Sequence, residues 1–546
     1  MASNLIIRKL LSNKEQGLKN VSNVFRSVSE YGSTCPCHGI RQGLCKGSSS
    51  LNNVNNNNKS VSTTTTTSSV TPLIFDMKSS TSSSSSSSII TNTNIINNNN
   101  YNNLGRYSST ATVQPDYDYA FEVSAANIRF GKGVTREVGQ DLKALNAKYV
   151  CVFTDPNLVA LGNSSPVWTV CESLKNNGIN FVLYDKVCIE PTDHSFKDAI
   201  QFVKQHERPF DAFVAVGGGS TMDTAKAANL YTTYPTDNFL EYVNAPIGLG
   251  RPIPGPLKPL IAIPTTAGTG SEATGVAVFH LVDMNAKTGI SNRKLKPTLG
   301  IVDPDNTRTM PRTVAIASGF DQLCHALESF TAIPFNRRSP RPASPSLRPS
   351  YQGSNPVADI WALQSLELIH KYLPLAVEDP SNDEARAQVM LGATFAGIGI
   401  ENAGVHLCHG MSYAVSGMVR DYKPEGYNTD KPMIPHGLSV VLHAPAVFNF
   451  TGISNPQRHL HCAKLMGADI TNVRDEDSGR VLSDQIRKIM RRLDVPDGLT
   501  AVGYNHNDIP ALVTGTLPQH RVTKLSPRPV GAEELTKLFE DSMTIY

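Results

Sequence analysis

Asp321 and His325 stand four residues apart in GFDQLCHALES (319–329), a run that reads as helix. At that spacing both side chains project from one face, one turn apart, as half of a divalent-metal site. Two further segments carry the histidines that would complete it. NAGVHLCHGMSY (402–413) holds His406 and His409 three apart, and IPHGLSVV (434–441) places His436 after a proline. One Asp with three His leaves a coordination position for a substrate oxygen, which marks a catalytic rather than a structural site. Fe2+ and Zn2+ both tolerate such ligands. Taken alone, Asp321 and His325 would equally make a surface ion pair, and a lone histidine in an apolar helix is more often packing than ligand.

Upstream lies VAVGGGSTMDTAK (214–226), a strand running into Gly217, Gly218, Gly219 and Ser220 and then into a helix. Backbone N–H groups at a helix N-terminus stabilise a pyrophosphate by hydrogen bonds and by the helix dipole. The turn is neither GxGxxG nor a P-loop, and three glycines after a strand also suit a plain tight turn. IPTTAGTGSE adds the hydroxyls of Thr265, Thr266 and Thr269 at the end of another strand, the edge at which ligands bind in parallel sheets. Asp155, at the end of KYVCVFTD, suits either a carboxylate bonding an adenosine ribose, which favours NAD over NADP, or a helix cap.

The elements that must position these groups change character along the chain. From Tyr117 to about 305, short β-branched runs alternate with helical stretches of about a dozen residues, the rhythm of a parallel sheet wound with helices. From 306 to 546 helical periodicity dominates, in 360–373, 384–400 and 478–493. The expectation is an α/β cofactor-binding domain over 117–305 and an all-helical metal-binding and catalytic domain over 306–546. Two Pro-rich loops interrupt the second half, at 334–356 and 419–435, and the first is basic.

Residues 1–116 read as a leader. The first 26 carry five basic residues against one acid, the make-up of a mitochondrial transit peptide, with a basic tail as the bland alternative. Asn, Thr and Ser runs follow, too polar to offset the entropy of ordering. A net charge of +3 over 546 residues points to neither nucleic acid nor a membrane surface, and no apolar run is long enough to span a bilayer. Of nine cysteines, Cys151, Cys171, Cys188 and Cys408 fall in apolar runs and are expected buried in a reducing compartment. TCPCHG (34–39) lacks the second pair that a zinc knuckle requires.

In order, GGGS, PTTAGTGSE, GFDxLxHALES, NAG-x4-HGM and PHG resemble the iron-containing (group III) alcohol dehydrogenase family over about 117–546. The resemblance implies the fold that this family shares with dehydroquinate synthase, and a homo-oligomer. It places the metal ligands on Asp321, His325, His409 and His436, with His406 falling where relatives have Gly. It places the cofactor contacts on Asp155, Gly217 to Ser220, Thr265, Thr266, Thr269 and Lys287, whose ammonium would bond the nicotinamide ribose. Many relatives carry a proton-relay histidine four residues after the third ligand; Tyr413 stands there in this sequence. The 26 residues between His409 and His436 exceed the usual spacing, so a loop is expected over the site.

NAGVHLCHGMSY, the basic insertion and ALVTGTLPQHRVTKLSP are most similar to a mitochondrial matrix branch that moves hydride from 4-hydroxybutyrate to 2-oxoglutarate through retained NAD. Succinate semialdehyde and 2-hydroxyglutarate would be the products. An ordinary NAD-dependent alcohol dehydrogenase is the alternative, and a lyase of the dehydroquinate synthase type is disfavoured by the HGM and PHG motifs. Both acids need cations, and the Arg fork pairs bidentately with a carboxylate. Arg337, Arg338, Arg341 and Arg348 of the basic loop are the expected substrate contacts.

Overall fold

A computed structural model describes residues 116–429 and 431–546. The expected transit peptide, the low-complexity tracts and TCPCHG lie outside the described residues. Eight strands follow in chain order: β1 Asn127–Phe130, β2 Tyr149–Phe153, β3 Asn180–Tyr184, β4 Ala212–Gly217, β5 Leu260–Pro264, β6 Val276–Leu281, β7 Ala286–Ser291 and β8 Leu299–Val302. Among them run helices α1 Val138–Ala144, α2 Pro156–Ala160, α3 Pro166–Asn176, α4 Asp193–Lys204 and α5 Gly219–Thr233.

Six strands make one parallel sheet in the order β1-β8-β5-β4-β2-β3. Its central strands are apolar on both faces because helices cover both. In β2 the alternation is plain: Val150 and Val152 pack with Val167, Val170 and Leu174 of α3, while Cys151 and Phe153 pack with Ala199 of α4 and Met222 of α5. Strand β2 pairs with β3 on one side and β4 on the other, so the winding reverses between β2 and β4. A crevice opens at such a reversal, at the carboxyl ends of the strands. Asp155 and the glycine turn stand there.

Two features depart from the expected rhythm. Strands β6 and β7 form a separate antiparallel hairpin, turned at Asn285 in the left-handed region (φ 46°). Cys188 is exposed, because the chain has left β3 and runs over the surface, whereas Cys151, Cys171 and Cys408 are buried as expected.

The remainder is helical: α6 Arg312–Thr331, α7 Pro356–Glu378, α8 Asp383–Ala403, α9 Leu407–Gly417 and α10 His436–Val441. Then come α11 Ala444–Gly452, α12 Pro456–Leu465, α13 Ser478–Arg492, α14 Ile509–Thr516, α15 His520–Thr523 and α16 Ala532–Asp541. Helix α6 is its axis. Phe320, Leu323, Leu327 and Phe330 are buried against Leu366, Ile369 and Leu373 of α7. Burying an apolar side chain of this size is worth about 1.5–3 kcal/mol. That packing fixes the rotation of α6, and with it the direction of its polar face. No described helix is long and apolar enough to cross a membrane.

Candidate metal centre and cofactor cavity

Asp321 Oδ1 is the focus of three imidazoles. The Nε2 atoms of His325, His409 and His436 lie 3.5, 3.4 and 3.7 Å from it. The ligand atoms of Asp321, His409 and His436 all lie within 4.8 Å of one another, and His325 and His409 stack with ring centres 4.8 Å apart. Asp321 Oδ1 and His409 Nε2 are buried with no hydrogen-bond partner among the described residues. Buried polar atoms are rarely left so, and a carboxylate with converging imidazoles is a donor set that fits a divalent cation. Burial alone would raise the Asp321 carboxyl, but the surrounding imidazoles hold it well below the usual carboxylate range.

His409 is held by a residue that the sequence analysis does not single out. Glu328, seven residues after Asp321 on the same face of α6, accepts the Nδ1–H of His409. Its other oxygen accepts the backbone N–H groups of His406, Cys408 and His409 at 3.0, 2.8 and 3.4 Å, capping α9. A carboxylate can only accept, so Nδ1 keeps its proton, and Nε2 is the nitrogen that would turn a lone pair to a cation at the centre. His406 does not join the cluster: its Nε2 lies 2.9 Å from Thr331 Oγ1, in the core. His436 reaches Asp321 because α10 touches α6 through Gly437, where a Cβ would overlap the Ala317 carbonyl oxygen. Burial and Lys287 push His436 down to about 3, so it is neutral and ready to ligate.

A cavity of about 400 Å³ joins this centre to the crevice of the sheet. At the far end Asp155 Oδ1 caps α2, accepting from the N–H of Asn157 (2.9 Å) and Leu158 (3.1 Å), while the side chain also borders the cavity. Gly218, Gly219 and Ser220 line it at the N-terminus of α5, and Thr265, Thr266 and Thr269 face them. Gly217 does not reach the cavity; it is glycine because the side chain of Thr221 fills the space of its Cβ. Lys287, on β7, donates to Glu190 Oε2 at 2.6 Å, and Glu190 Oε1 accepts the His436 backbone N–H at 3.1 Å. Glu190 too escapes the sequence reading, since it lies in an irregular segment with φ 51°.

The four expected substrate arginines are elsewhere. Arg348 makes a two-pronged pair with Asp118, Nε and Nη2 at 3.1 Å each, and reaches Glu122 at 3.3 Å. Arg341 sits over the Tyr119 ring, Arg338 accepts the Asp118 N–H through its carbonyl, and Arg337 is exposed. None borders the cavity. The guanidinium groups of Arg348 and Arg341 tie the basic loop to the segment 116–122 instead. The arginine that does border the cavity is Arg521 of α15, whose Nη2 donates to the Tyr413 hydroxyl at 3.1 Å. The long loop after α9 does lie over the site: Gly426, Tyr427 and Asn428 line the cavity, and Asn428 Nδ2 donates to Asn157 Oδ1 at 2.9 Å.

Comparison with known proteins identifies the family. Residues 125–304 match the model of the iron-containing alcohol dehydrogenases, and 350–543 match that of the C-terminal part of the Fe-containing alcohol dehydrogenase family. The chain is similar to the mitochondrial hydroxyacid-oxoacid transhydrogenase of Bos taurus, 58% identical over 429 residues, covering 79% of this chain and 91% of that one. It is 60% identical over 439 residues to a probable mitochondrial hydroxyacid-oxoacid transhydrogenase of Dictyostelium discoideum, covering 79% and 80%. Among solved structures a 1,3-propanediol oxidoreductase superposes with a TM-score of 0.67 at 25% identity, over 78% of this chain and all of that one.

Proposed function

The chain belongs to the iron-containing alcohol dehydrogenase family, a family of oxidoreductases, and we propose that it is a hydroxyacid–oxoacid transhydrogenase of mitochondria. In this reading 4-hydroxybutyrate and 2-oxoglutarate give succinate semialdehyde and 2-hydroxyglutarate. The exchange balances without an external oxidant, because one acid loses a hydride and a proton and the other gains both. A divalent cation, Fe2+ or Zn2+, supplies Lewis acidity at the substrate oxygen when bound, and NAD supplies the hydride carrier.

The chain's own residues do the rest. Asp321, His325, His409 and His436 would hold the cation, with Glu328 setting the tautomer of His409. Asp155 and the turn Gly218 to Ser220 would receive the dinucleotide at the reversal of the sheet, and Thr265, Thr266 and Thr269 would meet it from β5. Lys287, paired with Glu190 beside His436, stands where the nicotinamide end would lie. The loop carrying Tyr427 borders the cavity and would shield the bound acids from water.

Tyr413 is the observation that favours exchange over plain dehydrogenation. It occupies the relay position, it is buried against His436, and burial pushes its phenol above the ordinary value. At neutral pH a phenol is a poorer proton relay than the imidazole that relatives carry at this position. A dehydrogenase must export one proton per turnover, whereas an exchange returns the proton of the first acid to the second.

The test is to incubate the metal-reconstituted protein, as purified and without added NAD, with both acids and to measure 2-hydroxyglutarate. Many turnovers per protein are expected, each needing both acids. Product formed only with added NAD, with NADH accumulating in the absence of oxoacid, would make the protein an ordinary NAD-dependent alcohol dehydrogenase.

A further inference from the structure

Besides the histidines, two cations among the described residues border the cavity, Lys287 and Arg521. Lys287 is already neutralised by Glu190 at 2.6 Å. Arg521 has no carboxylate partner among the described residues. Its Nη2 donates to Tyr413 Oη at 3.1 Å and its Cζ lies 4.6 Å from the centre of the Tyr351 ring, so two aromatic residues hold the guanidinium still. Its Nη1 is buried and finds no acceptor among the described residues. A buried donor without an acceptor is costly, and more so when charged. A site that keeps one beside an open cavity is matched to an acceptor that arrives from outside. The Tyr413 ring in turn stacks on His436 with centres 6.5 Å apart, so Arg521 stands one phenol away from the metal-side imidazole.

We infer that Arg521 binds the substrate carboxylate and sets the length of acid that the site accepts, a conclusion that rests on the exchange reaction proposed above. The two substrates share a distance. In 4-hydroxybutyrate the carboxylate is the third carbon from the one that gives up hydride. In 2-oxoglutarate the distal carboxylate is the third carbon from the one that receives it. One fixed guanidinium therefore reads both acids at the same reach, as an exchange through a single site requires. The guanidinium fork supplies the paired donors that a carboxylate accepts.

Arg521→Gln tests this in the holoenzyme, with each acid varied in turn. The KM for both acids is expected to rise together by about tenfold to a hundredfold, the loss of a charge-assisted hydrogen bond. Preference for 2-oxoglutarate over 2-oxopentanoate, which carries a methyl group in place of the distal carboxylate, should collapse by a similar factor. Arg521→Lys keeps a cation without the fork and should fall between. Metal and NAD content of each purified variant separate a folding defect from a binding one, and in a damaged variant the preference ratio still decides. An unchanged preference, or a KM that rises for one acid alone, overturns the inference. If the wild-type protein makes no 2-hydroxyglutarate without added NAD, the exchange reading fails by itself. Oxidation of 4-hydroxybutyrate with NAD supplied then still measures the role of Arg521.

Discussion

Glu328 grips His409 at both ends, accepting its ring Nδ1–H with one carboxylate oxygen and its backbone N–H, at 3.4 Å, with the other. The same carboxylate thus caps α9 and fixes which ring nitrogen faces Asp321. Glu328→Gln keeps the shape and removes the charge. Groups that orient a metal-bound histidine are typically worth about tenfold to a hundredfold in metal affinity. Competition with a chelator should show a loss of that size for Glu328→Gln, with the cation-binding residues themselves untouched. An affinity equal to wild type would mean that packing alone orients His409.

The same pair gives metal binding a pH dependence. Burial pulls His409 toward the neutral form, but the charges of Glu328 and Asp321 outweigh it and raise the imidazole to about 9. Without metal at neutral pH the ring is protonated, and an entering cation must displace the Nε2 proton. His325 and His436 are lowered by burial and carry none. Apparent affinity should therefore rise about tenfold per pH unit from neutrality and flatten near pH 9. Calorimetry in buffers of different ionisation enthalpy should find close to one proton released per cation at pH 7. For the metal-free fold the sign reverses: the raised imidazole contributes stability that is fully present below the unfolded value of about 6.5 and lost as pH rises through 9.

Arg348 holds the start of the described chain in place. Its side chain and that of Asp118 are nearly buried, at 8% and 2% exposure. Removing one partner of such a pair leaves a buried charge uncompensated, a loss of about 3–5 kcal/mol. Arg348→Gln should lower the unfolding midpoint of the protein in urea while the KM for either acid stays put. A raised KM would return the basic loop to the substrate site.

How much was readable beforehand follows from what kind of signal each residue leaves. Asp321 and His325 announce themselves by spacing within one helix, and His409 and His436 by short motifs, so the cluster of these four side chains could be anticipated from local patterns. Glu328 lies in that same helix and on the same face, yet an acid two turns along a helix looks no different when it meets solvent. The hairpin of β6 and β7, with Lys287 on it, departs from the α/β rhythm that organises its surroundings. The arginines show the limit most sharply. A dense basic loop at 334–356 suggests the substrate site, but Arg348 is taken up by Asp118 and Glu122 and Arg341 by Tyr119, far along the chain. Arg521 stands alone between His520 and Val522 and gains its meaning only from Tyr413 and Tyr351, which tertiary packing brings to it.

Gly437 tests whether the metal centre depends on helix contact as well as on ligands. A Cβ there would overlap the carbonyl oxygen of Ala317 and stand 2.8 Å from Asp321 Cβ. Ala317 is one turn before Asp321, so the obstruction is backbone, and no side-chain rotation relieves it. Helix α10 would have to move away from α6, carrying His436 off Asp321 Oδ1, from which its Nε2 is now 3.7 Å distant. Overpacking of this kind costs about 1–3 kcal/mol in stability, and here the displacement falls on one of the imidazoles proposed to hold the cation. Gly437→Ala should therefore fold with a lower unfolding midpoint and bind its cation with less than stoichiometric occupancy, as measured by metal analysis after dialysis. A variant that keeps full metal content would show that α10 can shift without loss of the His436 ligand, and the contact through Gly437 would then serve packing alone.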